Sequence, residues 1–193
     1  ESEMGWNNWL RTVAALRADQ WSASVSSHLQ APNSGVTHAT KISPRFSLIL
    51  GPWQRTEFFF NAGKGFHSND ARGTTARVDP RTGMPIDPTP ALVGSRGQEV
   101  GVKSQIVANL QTALAIWRLD FDSELAYAGD AGNTEAGRPS RRTGIEWSNH
   151  WVPGEHFALQ ANMAWTRPRY TDNGPAGHCI ANAVQKVVHL NLT

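Results

Sequence analysis

Apolar and polar residues alternate at two-residue spacing in several stretches of this chain, and connections of very unequal length separate them. In Arg142 to Trp151, the set Arg142, Gly144, Glu146, Ser148 and His150 opposes the set Thr143, Ile145, Trp147, Asn149 and Trp151. A period of two puts these sets on opposite faces of a strand. Read this way, the chain predicts about eight strands. They cover Trp6 to Asp19, Ile42 to Leu50, Thr56 to Gly65, Gly97 to Val107, Leu110 to Tyr127, Arg142 to Trp151, Phe157 to Trp165 and Ala183 to Leu192. Phe46, Leu48 and Leu50 mark the apolar face of the second strand, and Phe58, Phe60 and Ala62 that of the third. In the fifth, Ala113, Ala115, Trp117, Leu119 and Phe121 are assigned to the apolar face. Arg118, Asp120, Asp122 and Glu124 then take the polar face, together with Leu114 and Ile116. In the eighth, Lys186 interrupts the apolar set.

The connections alternate between long and short. Ser22 to Lys41 is rich in Ser, Asn, Pro and Gly and reads as a loop. Gly51 to Arg55 is a turn, Phe66 to Arg96 shows no periodicity, Ala108-Asn109 is short, and Gly129 to Ser140 is long again. A soluble sandwich has no reason to sort its connections by side. A membrane barrel does, with short periplasmic turns and long extracellular loops. Most of the strands reach the roughly 9–11 residues that cross a bilayer. The predicted fold class is therefore all-β, an antiparallel up-and-down transmembrane β-barrel. Trp53 and Trp151 at short turns, and Tyr127 and Tyr170 near long loops, fit aromatic girdles at two interfaces. On this reading the turns near Trp53, Ala108 and Pro153 face the periplasm, and His67 to Arg96 faces outward.

Composition narrows the class. The 193 residues are 39% hydrophobic and 18% charged, below the quarter or so of charged residues in soluble proteins. No apolar run approaches the roughly 20 residues of a transmembrane helix. Net charge is +2 with the basic residues dispersed. Nucleic-acid binding would leave a clustered basic stripe, so no nucleic-acid partner is expected. Cys179 is the only cysteine, which excludes an intrachain disulfide and cysteine-rich zinc spacing. Glu1 to Trp6 has neither the basic nor the apolar segment of a signal peptide, and the expectation is a piece cut from a longer protein.

The charged residues suggest binding rather than catalysis. Carboxylates that follow one another along a strand do not flank a substrate across a cleft. Arg118, Asp120, Asp122 and Glu124 are therefore expected to form a polar lumen wall, extended by Glu57, Glu99, Lys103, Arg142 and Glu146. Opposite charges on adjacent strands can neutralise one another there. His67, Asn69, Asp70 and Arg72 cluster at the base of the longest loop. One His and one Asp make a poor metal site, but long loops on a rigid scaffold commonly carry binding. The ligand-binding candidates are thus His67, Asn69, Asp70, Arg72, Arg118, Asp120, Asp122 and Glu124. No catalytic residue, cofactor or metal site is expected. There is no Ser-His-Asp order that justifies a hydrolase, and no helix follows Gly63-Lys64-Gly65 to make a phosphate loop.

Several segments together resemble the barrel of TonB-dependent outer-membrane receptors. Thr12 to Asp19 is similar to the family's Gly-Leu-Arg-x-Asp strand, with Ala15 in place of the glycine. Ser43 to Trp53 resembles its Ser-Pro strand and periplasmic turn, and Thr56 to Gly73 the next strand as it climbs into an extracellular loop. Gly97 to Gly101 resembles a descending Glu-x-Gly strand, and Arg142 to Glu146 a Gly-x-Glu strand. The resemblance implies a barrel of about 22 strands with a plugged lumen, of which residues 1–193 supply a partial barrel domain without the plug. It also implies energy-coupled uptake of a scarce nutrient, such as a siderophore, metal chelate or cobalamin-like compound, in the bacterial outer membrane. The implied partners are the nutrient, outer-membrane lipid and a TonB-type energy-coupling protein acting through a plug. Two other readings stay open. A passive porin-like barrel requires the Trp6 and Ala183 strands to pair. A soluble all-β binding module requires a second sheet over Phe58, Phe60, Leu119, Trp147 and Trp165.

Overall fold

A computed structural model describes residues 1–128, 133–174 and 177–193, with backbone alone for 125–128 and 133–136. The strands are β1 (Ser2–Asn7), β2 (Leu10–Val25), β3 (Gly35–Trp53), β4 (Thr56–Ser68), β5 (Leu92–Ser104) and β6 (Leu110–Phe121). They continue with β7 (Leu125–Ala128), β8 (Asn133–Ala136), β9 (Ser140–Gly154), β10 (Phe157–Tyr170) and β11 (Lys186–Leu192). Nine of them form one sheet in the order β1-β2-β3-β4-β5-β6-β9-β10-β11, with every neighbouring pair antiparallel. β7 and β8 make a separate hairpin within the connection between β6 and β9. The edge strands β1 and β11 do not pair with each other.

The connections do sort by side. Turns after β1, β3, β5 and β9 are tight, whereas residues 26–34, 69–91, 122–139 and 171–185 all leave from the opposite end. At the β3–β4 turn Gln54 and Arg55 take φ of 49° and 62°. Paired left-handed residues give the type I′ geometry, whose twist matches that of a hairpin.

Register defines the two faces, because residues directly opposite in an antiparallel pair point the same way. One row runs Leu10, Leu50, Phe58, Val102, Leu114, Trp147, Met163, Val188 across eight strands. The next runs Thr12, Leu48, Phe60, Val100, Ile116, Ile145, Trp165, Lys186. Among the described residues no second sheet covers these rows: Phe58 is 48% exposed, Trp147 48% and Trp165 45%. At the tight-turn end the same face carries aromatic pairs, Trp9 against Trp53 at 6.1 Å and Trp151 against Phe157 at 6.0 Å. At the other end the face turns polar, and the boundary steps down across the sheet. It lies above Ile42 on β3, between Ala62 and Lys64 on β4, between Ile116 and Arg118 on β6, and between Val188 and Lys186 on β11.

This register corrects the assignment of β6. Leu114 and Ile116 belong to the exposed apolar rows, and Arg118 and Asp120 continue on that same face rather than on the lumen wall. Trp117, Leu119 and Phe121 lie opposite Glu99, Gly97 and Ser95, on the other face. The first half of β6 is apolar on both faces, so alternation within it does not choose between them. Its neighbours do.

Other boundaries shift as well. Much of Ser22 to Lys41 is strand, with Val25 opposite Gly35. Ser2–Asn7 is a strand of its own, the predicted fifth strand breaks after Phe121, and β11 starts at Lys186. The long connection 69–91 holds a short helix, α1 (Ala71–Thr75), and covers the small core of Ala76, Ala91, Leu92 and Val93. Asn33, Asn69, Thr74 and Thr75 are buried with them.

Candidate ligand-binding site

The inner face, opposite the apolar rows, mixes polar and aromatic residues. Glycines shape it. Phe59 lies across Gly101, and Trp117 lies across Gly144. These aromatic rings fill space that a glycine leaves on the neighbouring strand. Above them Gly63, Gly65 and Gly97 line a cavity of about 500 Å³, walled by Arg45, Asn61, Glu99 and Glu146. Asn61 Nδ2 donates to Glu99 Oε2 at 3.0 Å, and Arg11 Nη2 donates to Glu57 Oε1 at 2.6 Å. Glycine rows give the cavity a smooth floor, and the carboxylates and guanidinium give it charge.

Higher on the same face, beneath the long connections, five side chains meet. Arg142 Nη2 donates to both oxygens of Glu124 at 3.0 Å, and the Ser140 hydroxyl bonds the same carboxylate. The Arg142 guanidinium lies 5.4 Å from the centre of the Phe121 ring, whose other neighbour is His67 at 6.0 Å. Ser140 is fully buried, and among the described residues His67 Nε2 and Arg142 Nε are buried without a hydrogen-bond partner. An imidazole, a cation, a carboxylate and a ring at one place can hold a polar, partly aromatic ligand.

The predicted site residues therefore separate. His67 and Glu124 come together through Phe121 and Arg142. Asn69 is buried, with Nδ2 donating to the Pro90 carbonyl at 2.6 Å and its N–H to Ala91 at 3.0 Å. It fastens the two ends of the 69–91 connection. Asp70 caps α1 by accepting from Arg72 N at 2.9 Å. The Arg72 guanidinium, hydrogen-bonded to it, holds the Asp70 carboxyl below the ordinary carboxylate range. Arg118 and Asp120 pair with each other at 2.7 Å on the outer face, and Asp122 sits just beyond the end of β6, its N–H bonded to Gly94. Tyr127, one of the predicted girdle residues, has a side chain outside the described set. Among the described residues no three His, Cys, Asp or Glu side chains are placed to hold a metal ion.

Sequence reasoning missed Asn33 and Arg138. Asn33 lay inside a stretch read as loop. Its Oδ1 accepts from Arg77 N at 2.8 Å and Val78 N at 2.9 Å, while Nδ2 donates to Val78 O at 2.8 Å. One amide thus fastens residues 26–34 to the 69–91 connection. Arg138 stacks 4.2 Å from the Tyr170 ring centre and pairs with Asp172 at 2.7 Å, tying the last two long connections together. Neither residue belongs to a recognisable motif. An isolated Asn or Arg in an irregular stretch gives no periodic signal.

The Arg138–Asp172 latch is expected to be acid-sensitive. The hydrogen bond from Arg138 lowers the Asp172 pKa. A lowered folded-state pKa means the contribution is present above the ordinary Asp value and is lost as pH falls through the folded value. Limited proteolysis of the 171–185 connection should accelerate on acidification below the ordinary Asp range. Arg138→Ala should already show the fast rate at neutral pH and lose the acid response. A pH response unchanged in that variant would remove the latch.

The family described as TonB dependent receptor-like, beta-barrel matches residues 1–186. None of the curated proteins matches the sequence. Among solved structures, the siderophore receptor PiuA from Acinetobacter baumannii is 12% identical with a TM-score of 0.68, over 89% of this chain and 25% of that one. The alcaligin outer membrane receptor FauA from Bordetella pertussis is 13% identical at 0.67, over 98% and 32%. The copper transporter OprC is 13% identical at 0.67, over 88% and 27%. At such identities the likeness is one of fold, and the chain spans about a quarter to a third of these structures. The family is one of receptors rather than enzymes. With its family match running over residues 1–186, this chain belongs to the TonB-dependent receptor β-barrel family.

Proposed function

We propose that this chain is a section of the barrel wall of an outer-membrane receptor that takes up a scarce nutrient with energy supplied through a TonB-type partner. The observation that carries the reading is the division of one sheet into two chemistries. One face is an uncovered apolar belt edged with aromatics, and the other is a charged, glycine-floored concavity beneath long connections. In this reading the belt contacts lipid, the tight turns face the periplasm and the long connections face outward. Siderophores, other metal chelates and cobalamin-like compounds are the nutrient classes. The cluster of His67, Phe121, Glu124, Ser140 and Arg142 forms part of the capture surface, and a plug supplied elsewhere in the receptor gates the lumen.

The test uses the whole receptor that contains this segment, expressed in cells lacking competing transporters. Ferric siderophores, copper and cobalamin are offered singly as limiting nutrients. One of them is expected to restore growth, and Arg142→Ala is expected to weaken its binding roughly tenfold or more, as truncation of an arginine hot spot does. Growth restored by none, or restored equally without the energy-coupling partner, would defeat the reading in favour of a passive pore.

A further inference from the structure

Asn173-Gly174, in the 171–185 connection, is the only place in the sequence where glycine follows asparagine. Asn173 is exposed. Among the described residues neither its side chain nor the Gly174 N–H makes a hydrogen bond. Arg138 lies against Gly174, since a β-carbon added there would stand 2.6 Å from its Cζ and 2.7 Å from its Nη2. The guanidinium is held in place from several sides. Nε donates to Asp172 Oδ1 at 2.8 Å and Oδ2 at 2.9 Å, and Nη2 to the Asp172 carbonyl at 3.3 Å. Nη1 donates to the Gly177 carbonyl at 2.9 Å, and Cζ lies 4.2 Å over the Tyr170 ring. The Gly177 N–H closes on the Gly174 carbonyl at 3.1 Å. A fixed cation therefore rests on the residue whose backbone nitrogen follows Asn173.

That nitrogen is a latent nucleophile. When it gives its proton to solvent it can bond to the Asn173 side-chain carbonyl carbon, Cγ. The Cγ–Nδ2 bond then breaks, ammonia leaves with a proton from solvent, and a cyclic imide remains. One water opens the imide at either carbonyl, giving aspartate or isoaspartate. Water is the only co-reactant, and nothing is oxidised or reduced. Glycine puts no side chain in the path of the attack and lets the backbone bend into the ring. A positive charge close by favours an ionised nitrogen. We propose that Asn173 is a self-modifying site, converted to aspartate and isoaspartate by the Gly174 nitrogen, with Arg138 as the cation that speeds the conversion. The product sets a second carboxylate beside the guanidinium that Asp172 now holds. In isoaspartate the main chain runs through the β-carbon, which lengthens the path between Asp172 and Gly177, both gripped by Arg138. The tie between the last two long connections therefore loosens as the molecule ages. The inference stands apart from the bilayer and nutrient readings.

The experiment ages the full receptor in detergent at neutral pH in heavy-oxygen water, then maps its peptides by mass spectrometry. Heavy oxygen marks only the residues converted during the incubation, and an isoaspartyl methyltransferase labels the isoaspartate among them. Asn173 should be the most converted asparagine of the chain. Asn8 and Asn109, exposed but followed by Trp9 and Leu110, should stay largely intact. Arg138→Ala should slow the conversion roughly tenfold, the low end of what a neighbouring charge does to an ionisation. That variant also loosens the connection, which alone would speed ring closure, so a slower rate reports the charge. Arg138→Lys keeps the charge and should keep most of the rate. Limited proteolysis of the 171–185 connection should quicken with age in the unaltered receptor. In Asn173→Gln, whose longer side chain closes a ring far more slowly, it should not change with age. Equal conversion of Asn173 and Asn8, an unchanged or faster rate in Arg138→Ala, or cleavage that ignores age would each overturn the proposal.

Discussion

Gly144→Ala is expected to lower the unfolding free energy of the receptor by about 2–3 kcal/mol, the range of an overpacked core position. A β-carbon at Gly144 would stand 2.5 Å from Cζ2 of Trp117, 2.7 Å from its Cε2 and 2.8 Å from the carbonyl oxygen of Trp165. The indole is a side chain and can rotate aside, but the carbonyl belongs to the β9–β10 ladder, which cannot retreat without breaking its pairing. Urea unfolding of the folded receptor gives the measurement. Gly5→Ala is the control, since nothing lies within 4 Å of the β-carbon it would add. Trp117→Ala combined with Gly144→Ala should recover part of the loss, because residues in contact are not additive. Equal midpoints for the Gly5 and Gly144 variants would show that Trp117 does not need the bare backbone beneath it.

Asn33→Ala is expected to release the 69–91 connection while leaving the sheet intact. The substitution strands two backbone N–H groups and one carbonyl, all part-buried against the buried Asn33 amide. An unsatisfied buried group costs about 1–3 kcal/mol, so the local loss should be on the order of 3 kcal/mol. Hydrogen exchange over residues 71–86 should speed up by roughly a hundredfold, at about 1.4 kcal/mol per factor of ten, while the strands keep their protection. Asn33→Asp should fall between, because a carboxylate still accepts from Arg77 and Val78 but cannot donate to the Val78 carbonyl. Unchanged exchange in Asn33→Ala would mean that the small core of Ala76, Leu92 and Val93 holds the connection without it.

Strand positions facing the apolar rows were legible, and positions beyond them were not. Phe46, Leu48 and Leu50 alternate with Ser47 and Ile49 because one side of β3 is uncovered and apolar. Thr37, His38 and Thr40 lie above that zone, where both faces are polar, so the same strand looks like a loop. β6 failed for the reverse reason. Leu114, Ala115, Ile116 and Trp117 are apolar on both faces, because Trp117 fills the space over Gly144. Only the neighbouring strands decide which side is which. In the binding region the sequence led to His67 and Glu124 but not to their meeting place. Phe121 and Arg142 join them from different strands, and pairing across β6 and β9 is a tertiary fact. Asn69 and Asp70 are polar in a long loop, yet Asn69 bonds to Pro90 and Ala91 and Asp70 accepts from Arg72.

The downward step of the apolar boundary from β3 to β11 has a geometric consequence. Strands in a lipid wall must keep their apolar stretch at one depth, so a boundary that slides along the rows measures how far each strand is slanted and offset from the one before. That offset accumulates. Carried around a closed ring, it brings the last strand back beside the first displaced along its length, like a thread that advances with each turn. A hairpin can be added to or removed from such a wall only if it brings the same pitch. One with level rows would either bury charges in lipid or lift its apolar residues into water, even if every local pairing in it were sound.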